Sequence, residues 1–244
     1  MTDLEEMKKK LREEMWNKMQ EHHVARFPGP FGRIPNFVGS QIAAFNLAQA
    51  KVWQISKTIK VNPDSPQAEV RRLALLNGMT LSMPTPRLRS GFLLLDPKRM
   101  ERQHYGFAST IKGAFTFGRE TEPKALPKID LVVVGSVAVD KHGNRVGKGE
   151  GYSEIEWAIA REEGKVDENT TVATTVHDLQ LVDRIPKIHI HDLPVDLIVT
   201  PTNMVEVKRE NRKPEHIYWD LLSDKKIKVI PLLYGRWKTV GQSC

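Results

Sequence analysis

The sequence predicts an α/β protein: a three-layer αβα arrangement with a mainly parallel sheet, in a single domain spanning residues 1–244. Three observations predict it. Short β-branched runs alternate with helical ones along the chain, the pattern of strands joined by crossover helices. Leu131 to Val139 is almost wholly apolar, as a strand covered on both faces must be. A chain of 244 residues that is 40% hydrophobic and 27% charged can bury a sizeable core without metal or disulfide staples.

The elements follow in order. From Asp3 to Gln20, Leu4, Met7, Leu11, Met15 and Met19 recur at steps of three and four, the stripe of a surface helix. Phe27 to Pro35 holds three prolines and two glycines and reads as a structured loop. Ser40 reads as the N-cap of an Ala-rich helix running to about Ser56. Thr58 to Val61, Pro66 to Asn77 and Met79 to Met83 form a strand, helix, strand unit, with Gly78 as the helix stop and Pro84-Thr85-Pro86 as the closing turn. Thr171 to Val176, Val195 to Thr200 and Ile227 to Leu232 read as further strands, and Glu154 to Glu163 and Pro214 to Leu222 as helices. Of the five tryptophans, at 16, 53, 157, 219 and 237, most are expected in the core.

Charge and cysteine use narrow the functional classes. Thirty-seven Lys and Arg against thirty Asp and Glu give a net charge of +7, which suits an anionic partner but also suits plain solubility. No basic run interleaved with aromatics is present, so nucleic acid is possible but not favoured. The single cysteine, Cys244, forms no internal disulfide and belongs to a reducing compartment. Lys8, Lys9 and Lys10 with Glu5 and Glu6 leave no apolar leader, and no stretch approaches the ~20 apolar residues of a membrane span. A cytoplasmic protein without a membrane partner is expected.

The richest motif follows the apolar strand: Asp140-Lys-His-Gly143-Asn-Arg145-Val-Gly147-Lys148-Gly149-Glu150-Gly151-Tyr152. Ligands of open α/β sheets bind at such strand-to-helix crossings. Glycines let the backbone turn its N–H groups toward an anion, and Arg145 and Lys148 add charge. The spacing is neither a Walker A loop nor a dinucleotide fingerprint, and by itself it suits a flexible turn as well as a phosphate cradle. The flanking strand and helix favour the cradle.

The pattern Asp140, Gly143, Arg145, Gly147, Gly149, Gly151, Tyr152 resembles the signature loop of the 5-formyltetrahydrofolate cyclo-ligases, also called methenyltetrahydrofolate synthetases. Lys8, Leu11 and Arg12 are similar to that family's opening helix. The stretches Arg33–Phe37, Thr58–Asp64, Pro84–Arg89 and Val176–Asp178 extend the resemblance to the methenyltetrahydrofolate synthase domain-containing branch. Animal members of that branch carry an added RNA-recognition domain at the C-terminus, a module this sequence is expected to lack. The resemblance implies ATP- and Mg²⁺-dependent closure of 5-formyltetrahydrofolate to 5,10-methenyltetrahydrofolate. The partners would be a folate-type substrate and a nucleotide. It implies Arg145 and Lys148 as catalytic groups, with Lys8, Arg12, Gly143, Arg145, Gly147, Lys148, Gly149, Gly151 and Tyr152 around the phosphates. Glu154 holds the family's acidic, magnesium-binding position.

Two positions depart from the family pattern. Glu150 stands where a basic residue is usual, and Tyr152-Ser153-Glu154 replaces Tyr-Tyr-Asp. A carboxylate beside phosphates is tolerated if it ligates metal, so Glu150 joins Glu154 as a candidate Mg²⁺ ligand. Asp178, closing a strand, is the third. For the substrate, Lys60 lies at a strand end, Asp64 lies near the position of an acidic folate contact in the family, and Arg87 and Arg89 can clamp a carboxylate. His189 and His191 would face one way only on a strand and have no evident third partner, which argues against a metal pair. A retasked protein that binds a nucleotide, a pterin or RNA without catalysis is the alternative.

Overall fold

The structure, a computed structural model, describes residues 3–186 and 188–241. Cys244 lies outside the described residues. The strands in chain order are β1 (Thr58–Val61), β2 (Thr80–Pro84), β3 (Phe92–Leu95), β4 (Arg119–Thr121), β5 (Leu131–Val134), β6 (Ala138–Asp140), β7 (Arg145–Val146), β8 (Thr171–Thr175), β9 (Leu181–Val182), β10 (Leu197–Val199) and β11 (Met204–Glu206). Eight of them form one sheet in the order β11-β10-β8-β5-β1-β2-β3-β4. The five central strands are parallel, and the antiparallel pairings lie toward the edges.

The helices are α1 (Asp3–Glu21), α2 (Ser40–Ala48), α3 (Lys51–Ile55), α4 (Ala68–Leu76), α5 (Tyr105–Ala108), α6 (Ile111–Phe117), α7 (Tyr152–Glu162), α8 (Asp224–Val229) and α9 (Pro231–Gly241). One apolar layer joins residues of α2 to α6 to one face of the sheet, through Leu47, Trp53, Leu75, Leu81 and Val133 among others. On the other face Trp157 and Ala160 of α7 pack on Val132, Val134 and Val172. Alternate residues of β5 thus serve opposite layers, as its position in the sheet interior requires. The αβα architecture and mainly parallel sheet expected from the sequence are present.

Several local expectations are corrected. The apolar run Leu131 to Val139 is two strands, because Gly135, Ser136 and Val137 give their carbonyls to side chains. Arg145 Nη1 donates to Gly135 O at 2.8 Å, and Gln180 Nε2 donates to Ser136 O and Val137 O at 2.9 and 3.1 Å. Past that break β6 pairs with β7 and β9 in a separate three-stranded sheet. The helix expected from Ser40 to Ser56 is α2 and α3, with a break at Gln49 and Ala50, and its cap is Gly39 in the left-handed region rather than Ser40.

Ile227 to Leu232, expected as a strand, is helical: Ser223 Oγ accepts from Lys226 N at 3.2 Å, Pro231 opens α9, and Ile227, Ile230 and Leu233 fall on one buried face. Pro214 to Leu222, expected as a helix, is irregular apart from one turn at Trp219–Leu221. Trp157 Nε1 donates to Pro214 O at 2.8 Å and Ile217 N to Glu162 Oε1 at 3.0 Å, pinning that backbone along α7. Among the tryptophans, Trp53 and Trp157 are buried and Trp237 is exposed.

Candidate functional site

At the carboxyl ends of β1 and β5 opens a cavity of about 1190 Å³, walled by α1, the 31–34 loop, the glycine loop and the 189–192 turn. The sequence builds each wall by a local rule. The stripe of α1 buries Met15 and Met19 against Phe37 and Ala138, which leaves Lys8 and Arg12, one turn apart, facing the glycine loop. Arg12 Nε donates to Gly147 O at 2.8 Å. Lys8 Nζ pairs with Asp192 in the same wall and is buried.

The glycine motif divides in two. Its first part is a tight turn in which Asp140 accepts from the N–H groups of His142 and Asn144, both at 2.9 Å, and from Ile185 N at 2.8 Å. Gly143 belongs to this turn, where a Cβ would stand 2.4 Å from Val195 O, and it does not line the cavity. The structure thus places this expected phosphate contact apart from the other loop glycines, packed on Val195. The second part, 147–151, enters α7 through Gly149 (φ 99°) and Gly151 (φ 66°). Among the described residues, no protein acceptor meets the backbone N–H groups of Lys148, Gly149, Glu150 or Gly151. The first turn of α7 adds its unpaired donors beside them.

Arg145 lies under this loop, 96% buried, with all its bonds internal: Gly135 O, Leu193 O at 3.2 Å, and the Glu154 carboxylate. Lys148 Nζ pairs with Glu150 Oε2 at 2.8 Å. Burial draws Lys148 down, but the Glu150 hydrogen bond and the charges of Asp64, Glu150 and Glu156 hold its pKa above the ordinary value. Burial lowers that of Arg12, opposed by Asp192 and Glu154.

The floor is a polar network that ties β1 to α7. Lys60 pairs with Glu156 and donates to Asn62 Oδ1 at 2.5 Å, and Asn62 Nδ2 donates to Ser153 Oγ at 2.7 Å. Lys60, an expected substrate contact, does not itself line the cavity and supports Asn62 and Glu156, which do. Asp64 does line it, and burial raises its pKa despite Lys148, Arg71 and Lys60. Arg71, wholly buried and lowered to about 10 by desolvation, holds the carbonyls of Asn62 and Asp64 at 2.6 and 3.0 Å.

Arg87 reaches the cavity wall from a left-handed backbone at φ 57°, whereas Arg89 lies outside it. Glu150, Tyr152 and Glu154 line the cavity. Asp178 does not: it accepts from the hydroxyls of Thr200 at 2.6 Å and Thr202, so the structure does not bring this expected metal ligand together with Glu150 and Glu154. Sequence reasoning missed Glu156, Asn62, Arg71 and Asp192, and it set aside His189 and His191. The two rings stack 4.8 Å apart in a turn rather than a strand, and both line the cavity. Among the described residues no group of three His, Cys, Asp or Glu is placed to hold a metal unaided. No helix among them is long and apolar enough to cross a membrane.

A mainly parallel sheet with a cavity at its carboxyl edge, rimmed by a glycine loop, defines an α/β protein with the site geometry of open parallel sheets. Residues 4–201 match the 5-formyltetrahydrofolate cyclo-ligase family, and the chain belongs to that family. It is 41% identical over 231 residues to the methenyltetrahydrofolate synthase domain-containing protein of Mus musculus, covering 93% of this chain and 62% of that protein. The Homo sapiens protein of the same name is 38% identical over 231 residues, covering 93% of this chain and 60% of its own length. The chain therefore spans about three fifths of the curated relatives it matches. The NMR structure of Aquifex aeolicus 5,10-methenyltetrahydrofolate synthetase shares the fold, with a TM-score of 0.54 and 20% identity over 89% of this chain and 99% of that one.

Proposed function

We propose that the chain closes 5-formyltetrahydrofolate to 5,10-methenyltetrahydrofolate with ATP and Mg²⁺. The observation that carries this reading is the convergence of Arg12 and Lys148 on the loop 147–151, whose N–H groups have no protein acceptor among the described residues. In this reading the loop and the two cations hold the nucleotide phosphates, and Arg145 shapes the loop from beneath. The folate lies in the remainder of the cavity near Asp64 and Arg87, within reach of the transferring phosphoryl group. The γ-phosphoryl passes to the formyl oxygen, the neighbouring ring amine attacks the activated formyl carbon, and phosphate leaves with that oxygen. The protein's part is alignment and charge stabilisation.

Oxygen donors suit Mg²⁺, which takes one or two carboxylates and fills its remaining positions with phosphate oxygens and water. Glu150 and Glu154, both on the cavity wall, fit that share. When bound, the ion supplies neutralisation of the phosphate charge. The test is spectroscopic: purified protein with 5-formyltetrahydrofolate, ATP and Mg²⁺ develops the methenyl chromophore, and omission of ATP abolishes it.

One observation favours a second reading, a retasked binder of a nucleotide or pterin. Glu150 already pairs with Lys148 and Glu154 with Arg145, so two of the loop's cations each carry a carboxylate. Ligand binding without turnover in the same assay would select it.

A further inference from the structure

The family match ends at residue 201, yet residues 213–236 touch α7 along its whole length. At the far end of that helix Arg236 pairs with Glu162 at 3.2 Å and with Glu163. In the middle Trp157 donates to the Pro214 carbonyl, and Ile217, Ile230 and Leu233 share an apolar cluster with Ile155 and Ile159. These contacts fasten the helix. A further one reaches the glycine loop itself: Lys226 Nζ donates to the Glu150 carbonyl and lies 4.1 Å from the centroid of the Tyr152 ring.

We propose that Lys226 is a positioning residue for the loop, fixing the Glu150–Gly151 peptide so that the Gly151 N–H is aimed into the large cavity; the inference rests on the phosphate reading above. That peptide is trans, so its carbonyl and its N–H point opposite ways. Lys226 lines a smaller cavity of about 350 Å³ and not the large one, whereas Glu150 and Gly151 line both. A carbonyl held on the Lys226 side leaves the N–H on the other. Packing does not fix this choice, since nothing lies within 4 Å of where a Gly151 Cβ would stand. Glycine also permits the flipped peptide, which would present a carbonyl oxygen to an anionic ligand. An ammonium donates and cannot accept, so Lys226 selects the carbonyl and rejects the N–H. The Tyr152 ring holds that ammonium in place.

Amide hydrogen exchange and calorimetric titration, with ATP and Mg²⁺ on the full chain, test this. In the wild type the ligand should slow exchange of the Gly151 amide about tenfold or more. Lys226→Met should lose that protection and bind ATP about tenfold more weakly, and Lys226→Arg, which keeps a charged donor, should restore both. Lys238→Met is the control: it removes the same charge from a like contact, 4.3 Å from the Tyr234 ring centroid, and should behave as the wild type. Circular dichroism checks folding, and Lys226→Gln, whose amide can accept as well as donate, replaces the methionine variant if that one does not fold. An unprotected Gly151 amide in ATP-bound wild type, unchanged affinity in the folded variant lacking the ammonium, or an equal loss in Lys238→Met overturns the role of Lys226 alone. Absence of ATP binding to the wild type overturns the phosphate reading and this inference together.

Discussion

The Arg12 guanidinium lies against Gly149, its carbon 3.1 Å from the point where a Cβ on that residue would stand. Helix α1 and the loop before α7 thus meet through a cation on one side and the lack of a side chain on the other. Gly149 also holds φ at 99°, where an L side chain is strained. Gly149→Ala should displace Arg12 and weaken ATP binding roughly tenfold or more, the size of one lost charge-assisted contact. Gly164→Ala is the control: it is strained at φ 65° but has nothing within 4 Å, and it should keep its ATP affinity. Titration of both variants checks this.

Lys148 and Arg145 both line the cavity, the first half-buried and the second buried beneath the loop, and should fail differently. Arg145 is buried and joins Gly135, Leu193 and Glu154, so Arg145→Ala should unfold more easily by about 3–5 kcal/mol. Lys148 is half-buried with one carboxylate partner, so Lys148→Ala should leave the urea midpoint nearly unchanged. Urea unfolding curves of the two variants test the contrast, and equal losses contradict it.

The buried pair Lys60–Glu156 should behave as a unit. Burial already raises the Glu156 pKa, and Lys60 is the largest influence opposing that rise. Lys60→Met strands the carboxylate and should cost about 3–5 kcal/mol, most of it recovered in Lys60→Met/Glu156→Leu. A double-mutant cycle by chemical denaturation measures the coupling.

Asp64 makes stability fall as pH rises. Its folded pKa lies above the ordinary 3.8 because of burial, so its contribution is full below 3.8 and is lost as pH climbs through the folded value. Asp64→Asn resembles the protonated form. It should flatten this decline and melt higher than wild type at neutral pH, by about 0.5–2 kcal/mol. Glu156 shifts the same way and keeps a residual slope. Melting curves from pH 4 to 8 that run parallel for the two proteins contradict the assignment.

Much of this was legible in the sequence, for physical reasons that also explain the failures. The spacing of Met15 and Met19 fixed which side of α1 faces inward, and so placed Lys8 and Arg12 toward the loop. The strand-to-helix position of residues 147–151 placed the loop at the sheet edge. What periodicity cannot report is where a polar atom finds its partner. Gly143 looks like any loop glycine until Val195 O is seen against it, and Lys60 looks like a solvated strand end until Glu156 is seen beside it. Ile227 to Leu232 carries an apolar run that suits either strand or helix, and the Ser223 cap with Pro231 decides for helix. Asp192 had no local signal, since its partner Lys8 is far away in the chain.

The central claim is that the loop 147–151 holds nucleotide phosphate despite the carboxylates around it. Glu150 and Glu154 pair with Lys148 and Arg145 in the same cavity, so bare ATP must compete with them for those cations, a competition that Mg²⁺ relieves by taking the carboxylates as ligands. The direct measurement is calorimetric titration of ATP, with and without Mg²⁺, on wild type and Lys148→Ala. Weak binding without the ion, clearly stronger binding with it, and a loss of ~1.5–3 kcal/mol in Lys148→Ala is the predicted result. No nucleotide binding to the wild-type protein in either condition would contradict it.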